Sequence, residues 1–211
     1  MKIVKLYHGG VECNTYVYGE EGEPCVVVDP GYNENGSLDN YIEKHHGYCL
    51  GYLITHGHSD HITGLKTLTH KATVFMMSED VVCLSDPDLN VSRGLFGQEG
   101  LVIDNVVPYE LDDEDEIRLG DTIFKVIATP FHTRGSCCFY IEEEGVLFSG
   151  DTLFHLGIGR ADLPGSCPRE TAHSLRKLAV LPISTKVYPG HGEMTTMKAE
   201  LAFNPDLRQL I

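Results

Sequence analysis

The stretch Thr55-His56-Gly57-His58-Ser59-Asp60-His61 constrains the fold most, because it places three imidazoles and a carboxylate in adjacent positions of a short segment. It follows the apolar residues Tyr52-Leu53-Ile54, the end of an expected strand, and precedes Ile62-Thr63-Gly64-Leu65, which is typical of a helix start. Side chains alternate in direction along an extended backbone, so His56 and His58 point the same way. Imidazole and carboxylate are ligands that zinc, iron and manganese accept, and we interpret the cluster as a metal site.

Length and charge narrow the class of protein. The 211 residues carry a formal net charge of −15, and an acidic surface repels phosphate backbones, so we expect no nucleic-acid partner. No apolar run approaches the roughly 20 residues of a membrane span, and the first residues do not resemble a signal peptide, so we expect a cytoplasmic protein without a membrane partner. No low-complexity linker divides the chain, which predicts a single domain over 1–211, as a monomer or a homodimer.

The seven cysteines are odd in number and show no Cys-x-x-Cys spacing. This pattern favours reduced thiols over a disulfide framework or a structural zinc finger.

The order of expected elements predicts an α/β fold with two sheets face to face and helices outside. The first thirty residues are typical of a β-meander, and Val26-Val27-Val28 is apolar throughout, as in a strand buried on both faces. The segment 78–100 has a weak pattern, which indicates irregular helix or loop walling the site. Expected strands are 3–7, 14–18, 25–29, 50–55, 73–77, 116–118, 122–128, 136–141, 146–148 and 186–188; expected helices are 37–46, 61–70, 169–180 and 196–203.

Three more donor residues follow apolar strands in loops framed by proline or glycine. They are His132 in Thr129-Pro130-Phe131-His132-Thr133, Asp151 in Gly150-Asp151-Thr152, and His191 in Pro189-Gly190-His191-Gly192. Each segment by itself is more typical of an ordinary turn. Together with the first cluster they supply five histidines and two aspartates, more than one tetrahedral zinc ion uses.

Seven donors suit two divalent metals that share a carboxylate. We assign one ion to His56, His58 and His132, the other to Asp60, His61 and His191, and place Asp151 between them. Two such ions can hold a hydroxide at neutral pH, since a bound water's pKa falls from 15.7 towards about 7. Asp60 is the expected catalytic residue, orienting that hydroxide and passing its proton to the leaving group. Zinc is the expected metal, with iron and manganese as alternatives.

The pattern His-x-His-x-Asp-His at 56–61, followed by His132, Asp151 and His191, resembles the metallo-β-lactamase superfamily over nearly the whole chain. The resemblance implies a four-layer αββα sandwich with a binuclear site at the sheet edges. Gly157-Ile158-Gly159-Arg160 and Gly190-His191-Gly192 resemble the small glyoxalase II-like group, the hydroxyacylglutathione hydrolases; further matching residues are Thr195-Thr196, Glu200 and Asn204-Pro205. That group implies hydrolysis of a small-molecule thioester such as an S-2-hydroxyacylglutathione, with Arg160 in the place of a residue that contacts glutathione.

This sequence differs from that group at several positions, and the differences bear on the predicted substrate. Asp162 stands where the longer enzymes have an aromatic residue, and Phe131 stands where glycine is usual. We also expect the chain to lack the C-terminal helical domain that supplies further glutathione contacts in those enzymes. Arg160 could equally anchor a loop to an acidic residue, and His155 could line the pocket or lie on the surface. For Asp29 we favour a turn residue over a partner of a ligand histidine.

Other activities of the superfamily remain open. Asp-His-Ile-Thr-Gly at 60–64 and Gly-Arg-x-Asp at 159–162 resemble persulfide dioxygenases, which implies a single iron on His56, His132 and Asp151 and an oxidoreductase as the alternative to a hydrolase. The commonest β-lactamases have cysteine where Asp151 stands here, and lactonases share the donor set.

Overall fold

The computed structural model describes residues 2–6, 13–93, 97 and 99–210. They form fourteen strands: β1 Lys2–Leu6, β2 Thr15–Gly19, β3 Cys25–Val28, β4 Cys49–Leu53, β5 Thr73–Met77, β6 Tyr109–Leu111, β7 Glu116–Leu119, β8 Thr122–Ala128, β9 Cys137–Ile141, β10 Val146–Gly150, β11 Leu153–Phe154, β12 Gly157–Ile158, β13 Lys186–Pro189 and β14 Thr195–Thr196. The α-helices are α1 Ser37–His45, α2 Ser59–Ile62, α3 Thr171–Ala179, α4 Met197–Phe203 and α5 Pro205–Arg208.

Two six-stranded sheets organise the chain. The first has the order β1-β2-β3-β4-β5-β6, and the second has the order β14-β13-β10-β9-β8-β7. Strands β1, β2 and β3 pair antiparallel, which confirms the predicted meander, and β3 to β6 pair parallel. Strands β11 and β12 form a separate hairpin.

Alternation along the strands creates three apolar layers. Tyr16 and Tyr18 point between the sheets, where they meet Phe124 and Phe148, while Val17 points outward. Because successive side chains of a strand face opposite sides, each sheet contributes to the central core and to an outer one. The outer face of the first sheet packs with residues of α1, and that of the second sheet with residues of α3. The result is the predicted four-layer αββα sandwich.

Strand directions bring the loop ends to one rim. Strands β3 and β4 are parallel, so both chain segments that follow them leave at the same edge. In the second sheet β10 and β13 are parallel, and β8 runs in the same direction because both β8 and β10 are antiparallel to β9. Two backbone hydrogen bonds close the rim between the sheets, from Cys137 N–H to the Thr55 carbonyl (2.8 Å) and from Asn14 N–H to the Gly190 carbonyl (2.6 Å).

The predicted helix over 61–70 is wrong as a single element. The chain forms the short helix α2 and then a 3₁₀ turn over Thr63–Lys66. Beyond it, the N–H groups of Thr69 and His70 donate to the Asp39 carboxylate instead of continuing the helix. A distant side chain thus ends the helix, and local propensity does not reveal it.

The elements absent from the sequence prediction are short: β6, the β11–β12 hairpin, β14 and α5. The segment 78–100, expected to be irregular, begins with a 3₁₀ helix over Ser78–Leu84 and continues in turns; residues 94–96 and 98 lie outside the described residues. Within the part of the chain that the structure describes, every helix is too short or too polar to cross a lipid bilayer.

Candidate metal centre

All seven donor residues predicted from the sequence meet at the rim where the strands end. The segment 56–61 follows β4, and the other three donors follow β8, β10 and β13; these are His132, Asp151 and His191. Their side chains fall into overlapping groups of three in which the ligand-type atoms lie within 4.8 Å of one another.

The first group is made of three buried imidazoles, those of His56, His58 and His132. Nε2 of His56 lies 3.1 Å from Nδ1 of His58. The ring centroid of His132 lies 4.8 Å from that of His56 and 4.6 Å from that of His58. Three imidazoles that converge in this way match the donor set of a protein-bound zinc or iron ion.

The second group joins Asp60, His61 and His191. Nε2 of His191 lies 3.2 Å from the Asp60 carboxylate and 3.3 Å from Nε2 of His61. His61 is fully buried, whereas the side chains of Asp60 and His191 are about one-third exposed. This group therefore forms the open side of the centre.

Asp151 lies between the two groups. Its Oδ2 is 3.4 Å from Nε2 of His132 on one side and 3.4 Å from Nε2 of His191 on the other. Its Oδ1 is 3.4 Å from Nε2 of His61. One carboxylate thus contacts donors of both groups, as a bridge between two cations would.

Hydrogen bonds on the far side of two rings fix how they face the centre. Nδ1 of His132 donates to the backbone carbonyl of Arg160 (2.7 Å), and Nδ1 of His61 donates to the Asp29 carboxylate (2.9 Å). Because Nδ1 carries the proton in each ring, the lone pair of Nε2 is left pointing at the other donors.

Asp29 corrects the sequence interpretation, which favoured a turn residue. It does turn the chain, with a φ of 51°, but its carboxylate also holds His61. The same carboxylate accepts the N–H (2.8 Å) and the hydroxyl (2.7 Å) of Thr55. The preference for a turn over a histidine partner is therefore wrong.

Among the described residues, three buried atoms at the centre have no hydrogen-bond partner: Nε2 of His58, Nε2 of His132 and Oδ1 of Asp151. Leaving a buried polar atom unpaired costs roughly 1–3 kcal/mol, more when the group is charged. Ligation of divalent cations would give such atoms a partner. The donors present therefore fit the metal ions that the sequence pattern implies.

The charges of the residues at the centre also favour the binding of cations. Burial, together with the nearby His61, holds the pKa of His56 well below its usual range, and burial with His132 lowers that of His58 to about 3. Burial would also lower the pKa of His191, but Asp151 and Asp60 raise it to about 10. The carboxylates thus favour positive charge in the site, and bound metal ions would supply it while leaving the imidazoles neutral, as ligation requires.

The remaining candidates lie at the edge of the site. Arg160 is exposed, and its guanidinium forms a two-point ion pair with Asp162, with a shorter contact of 2.6 Å. This is the loop anchor that the sequence left open, although the Arg160 carbonyl holds His132. His155 is exposed, while its neighbour Phe154 contacts the His191 ring edge-on at 6.0 Å.

Sequence reasoning missed Asp80, a buried carboxylate in the 3₁₀ helix over Ser78–Leu84. It accepts backbone N–H groups from both Gly57 and Gly135, and so touches the two loops that carry the three-histidine group. Its segment showed only a weak pattern, and an aspartate at the start of a helix carries no signal of such contacts.

Fold and donor set define a metallo-hydrolase architecture that binds divalent metals, and comparison identifies the family. Residues 8–191 match the metallo-beta-lactamase superfamily, and the chain belongs to it.

Relatives of similar length include an uncharacterized protein of Mycobacterium tuberculosis, 38% identical over 100% of this chain and 99% of its own length. A probable metallo-hydrolase of Bacillus subtilis, YqgX, is 32% identical over 98% of each chain. A hydroxyacylglutathione hydrolase of Pseudomonas entomophila is 33% identical over 79% of this chain, which spans 56% of that enzyme.

Solved structures share the fold over nearly the whole chain. The BLEG-1 B3 metallo-beta-lactamase superposes with a TM-score of 0.90 at 32% identity, covering 98% of this chain and 99% of its own. TTHA1623 in a di-iron-bound form gives 0.78 at 31% identity, with coverage of 97% and 99%. ETHE1 from Myxococcus xanthus gives 0.75 at 26% identity, with coverage of 97% and 84%.

Proposed function

We propose that the chain is a binuclear metallohydrolase that cleaves a thioester such as an S-2-hydroxyacylglutathione. The observation that carries the proposal is Asp151, which lies within 3.4 Å of donors from two separate groups. One metal would be held by His56, His58 and His132, the other by Asp60, His61 and His191. Zinc is the proposed metal, and iron or manganese would suit the same donors.

When bound, two such ions polarise a carbonyl and make a water molecule nucleophilic at neutral pH. The chain's own residues then orient the attacking water and exchange protons with it and with the departing group. Asp60 is the proposed catalytic residue, because its carboxylate is part of the open group and reaches the solvent-facing side. There it can accept a proton from the attacking water and deliver it to the departing group. A thiolate leaves readily, so a thioester requires little acid assistance.

The thioester class is supported by the hydroxyacylglutathione hydrolase of Pseudomonas entomophila among the relatives. Arg160 is the proposed contact for a substrate carboxylate. Its ion pair with Asp162 is exposed, and exposed ion pairs contribute only about 0–1 kcal/mol, so the guanidinium can exchange partners at small cost.

Two other activities have specific support. A dioxygenase activity is supported by the structural similarity to ETHE1 and by the segments 60–64 and 159–162, which resemble persulfide dioxygenases. One iron on His56, His132 and Asp151 would suffice for that activity. Similarity to the BLEG-1 B3 metallo-beta-lactamase makes β-lactam hydrolysis the second candidate among hydrolases.

The test combines metal content with turnover. Purified chain is analysed for metal identity and number per chain, then assayed with S-D-lactoylglutathione, a chromogenic cephalosporin, and a persulfide with an oxygen electrode. We expect two metals, thioester hydrolysis, and losses of at least about 100-fold in kcat for Asp60→Asn and His58→Ala. Arg160→Gln should raise KM and leave kcat unchanged. One iron per chain with oxygen uptake, or no thioester turnover by zinc, iron and manganese forms, would refute the proposal.

A further inference from the structure

A buried carboxylate outside the donor set joins the two loops of the three-histidine group. Oδ2 of Asp80 accepts the N–H of Gly57 (2.7 Å) and the hydroxyl of Thr133 (2.7 Å), and Oδ1 accepts the N–H of Gly135 (2.7 Å). Gly57 lies between His56 and His58, and Thr133 follows His132. Three short hydrogen bonds to one charged acceptor are among the stronger interactions available inside a protein.

Both loops approach Asp80 so closely that only glycine fits at the contact points. A Cβ atom on Gly57 would lie 2.4 Å from Cβ of Cys83, and one on Gly135 would lie 2.7 Å from Cβ and Cγ of Asp80. The backbone N–H groups can therefore reach the carboxylate without an intervening side chain. The loops cannot shift toward Asp80, and moving away breaks their hydrogen bonds.

We propose that Asp80 is the positioning residue of the three-histidine group, fixing His56 and His58 relative to His132 by binding both of their loops with one carboxylate. This inference rests on the proposed metal centre. The other group is held differently, because His61 donates to Asp29. Asp80 should therefore govern metal affinity at one of the two groups, whereas a merely structural carboxylate would affect both alike or neither.

Asparagine is the informative replacement. It keeps the size of Asp80 but has one acceptor oxygen, so its amide NH₂ must face the N–H of either Gly57 or Gly135. One loop thus loses its anchor. Asp39 provides the matched control: it too is a buried carboxylate that accepts backbone N–H groups, from Thr69 and His70, and none of its partners adjoins a donor of the centre.

Each group can be measured alone by disabling the other. His191→Ala leaves the three-histidine group complete, and His58→Ala leaves the second group complete. Zinc affinity is measured by chelator competition in both backgrounds, with and without Asp80→Asn. We expect a 10–100-fold weaker affinity in the His191→Ala background and less than about threefold change in the His58→Ala background. Asp39→Asn should leave both affinities within about threefold.

Equal losses in the two backgrounds, or no loss in the first, would overturn the inference. Circular dichroism of the metal-free proteins checks that the variants fold. If Asp80→Asn does not fold, Thr133→Val removes one of the three hydrogen bonds to Asp80, together with the contact to the Ser136 hydroxyl (2.7 Å), and should give a smaller loss in the same background only. A wild-type chain that binds one metal on the three histidines would refute the binuclear function but leave this experiment decisive for Asp80.

Discussion

Replacement of Asp29 by asparagine tests whether a residue without direct access to the metals controls the second group. The Asp29 carboxylate orients His61 so that its Nε2 faces Asp60, Asp151 and His191. An amide cannot accept from Nδ1–H if its NH₂ faces the ring. The His61 proton would then favour Nε2, where it blocks ligation.

The magnitude follows from the hydrogen bonds at this position. Asparagine, like aspartate, tolerates the left-handed backbone, so the φ of 51° adds no new strain. The main loss is one hydrogen bond to a charged acceptor, about 1.5–3 kcal/mol in the free energy of unfolding. For a chain of this length that lowers Tm by roughly 3–12 °C. Metal affinity at the second group should fall 10–100-fold.

Scanning calorimetry of the metal-free protein and zinc titration against a chelator measure the two effects separately. Thr55→Val is the control for the second group, because it removes the hydroxyl that donates to Asp29 (2.7 Å) and contacts Nδ1 of His56 (3.2 Å), but leaves the contact between Asp29 and His61 in place. It should lower Tm without weakening metal binding at the second group. The reasoning is refuted if Asp29→Asn binds metal at the second group within threefold of wild type, or if Thr55→Val loses as much affinity as Asp29→Asn at that group.

Three further outcomes are expected. Removing metal with a chelator should lower Tm, because bound metal adds about 4 kcal/mol to the free energy of unfolding when free metal stands at 1,000 times Kd. An unchanged calorimetric Tm would contradict this expectation. Burial raises the pKa of Asp39, but hydrogen bonds from three neighbours outweigh this and leave the pKa below its usual value. The contribution of Asp39 to the free energy of unfolding is therefore present above about pH 4 and lost as the pH falls further. Asp39→Asn should reduce this acid dependence of the free energy of unfolding, measured by urea titration at several pH values. Glu200, buried, accepts from Thr195, Leu156 and Asn204, so Glu200→Gln should cost about 1–3 kcal/mol in chemical denaturation while metal per chain stays constant.

The strands and the donor residues could be predicted from the sequence because both depend on local pattern. Strands β5 and β8 match their expected bounds, since β-branched and aromatic runs bounded by polar residues are informative over a few positions. The donors stand out because histidine and aspartate directly after an apolar strand, in a loop framed by glycine or proline, are placed to project from a sheet edge. Chain order alone therefore indicated that the loops after β4, β8, β10 and β13 share a rim.

Only the tertiary structure shows which residues hydrogen-bond to the donor histidines or to their loops on the side away from the metal centre. Asp29 looked like an ordinary turn residue and Asp80 like part of an irregular segment, because their partners, His61 and the loops at Gly57 and Gly135, are distant in sequence. The helical segment that begins with α2 likewise does not reach residue 70, where Asp39 accepts the N–H groups of Thr69 and His70 that local propensity assigns to a longer helix. Hydrogen bonds between distant segments form only when packing has brought them together, and short-range pattern carries no record of them.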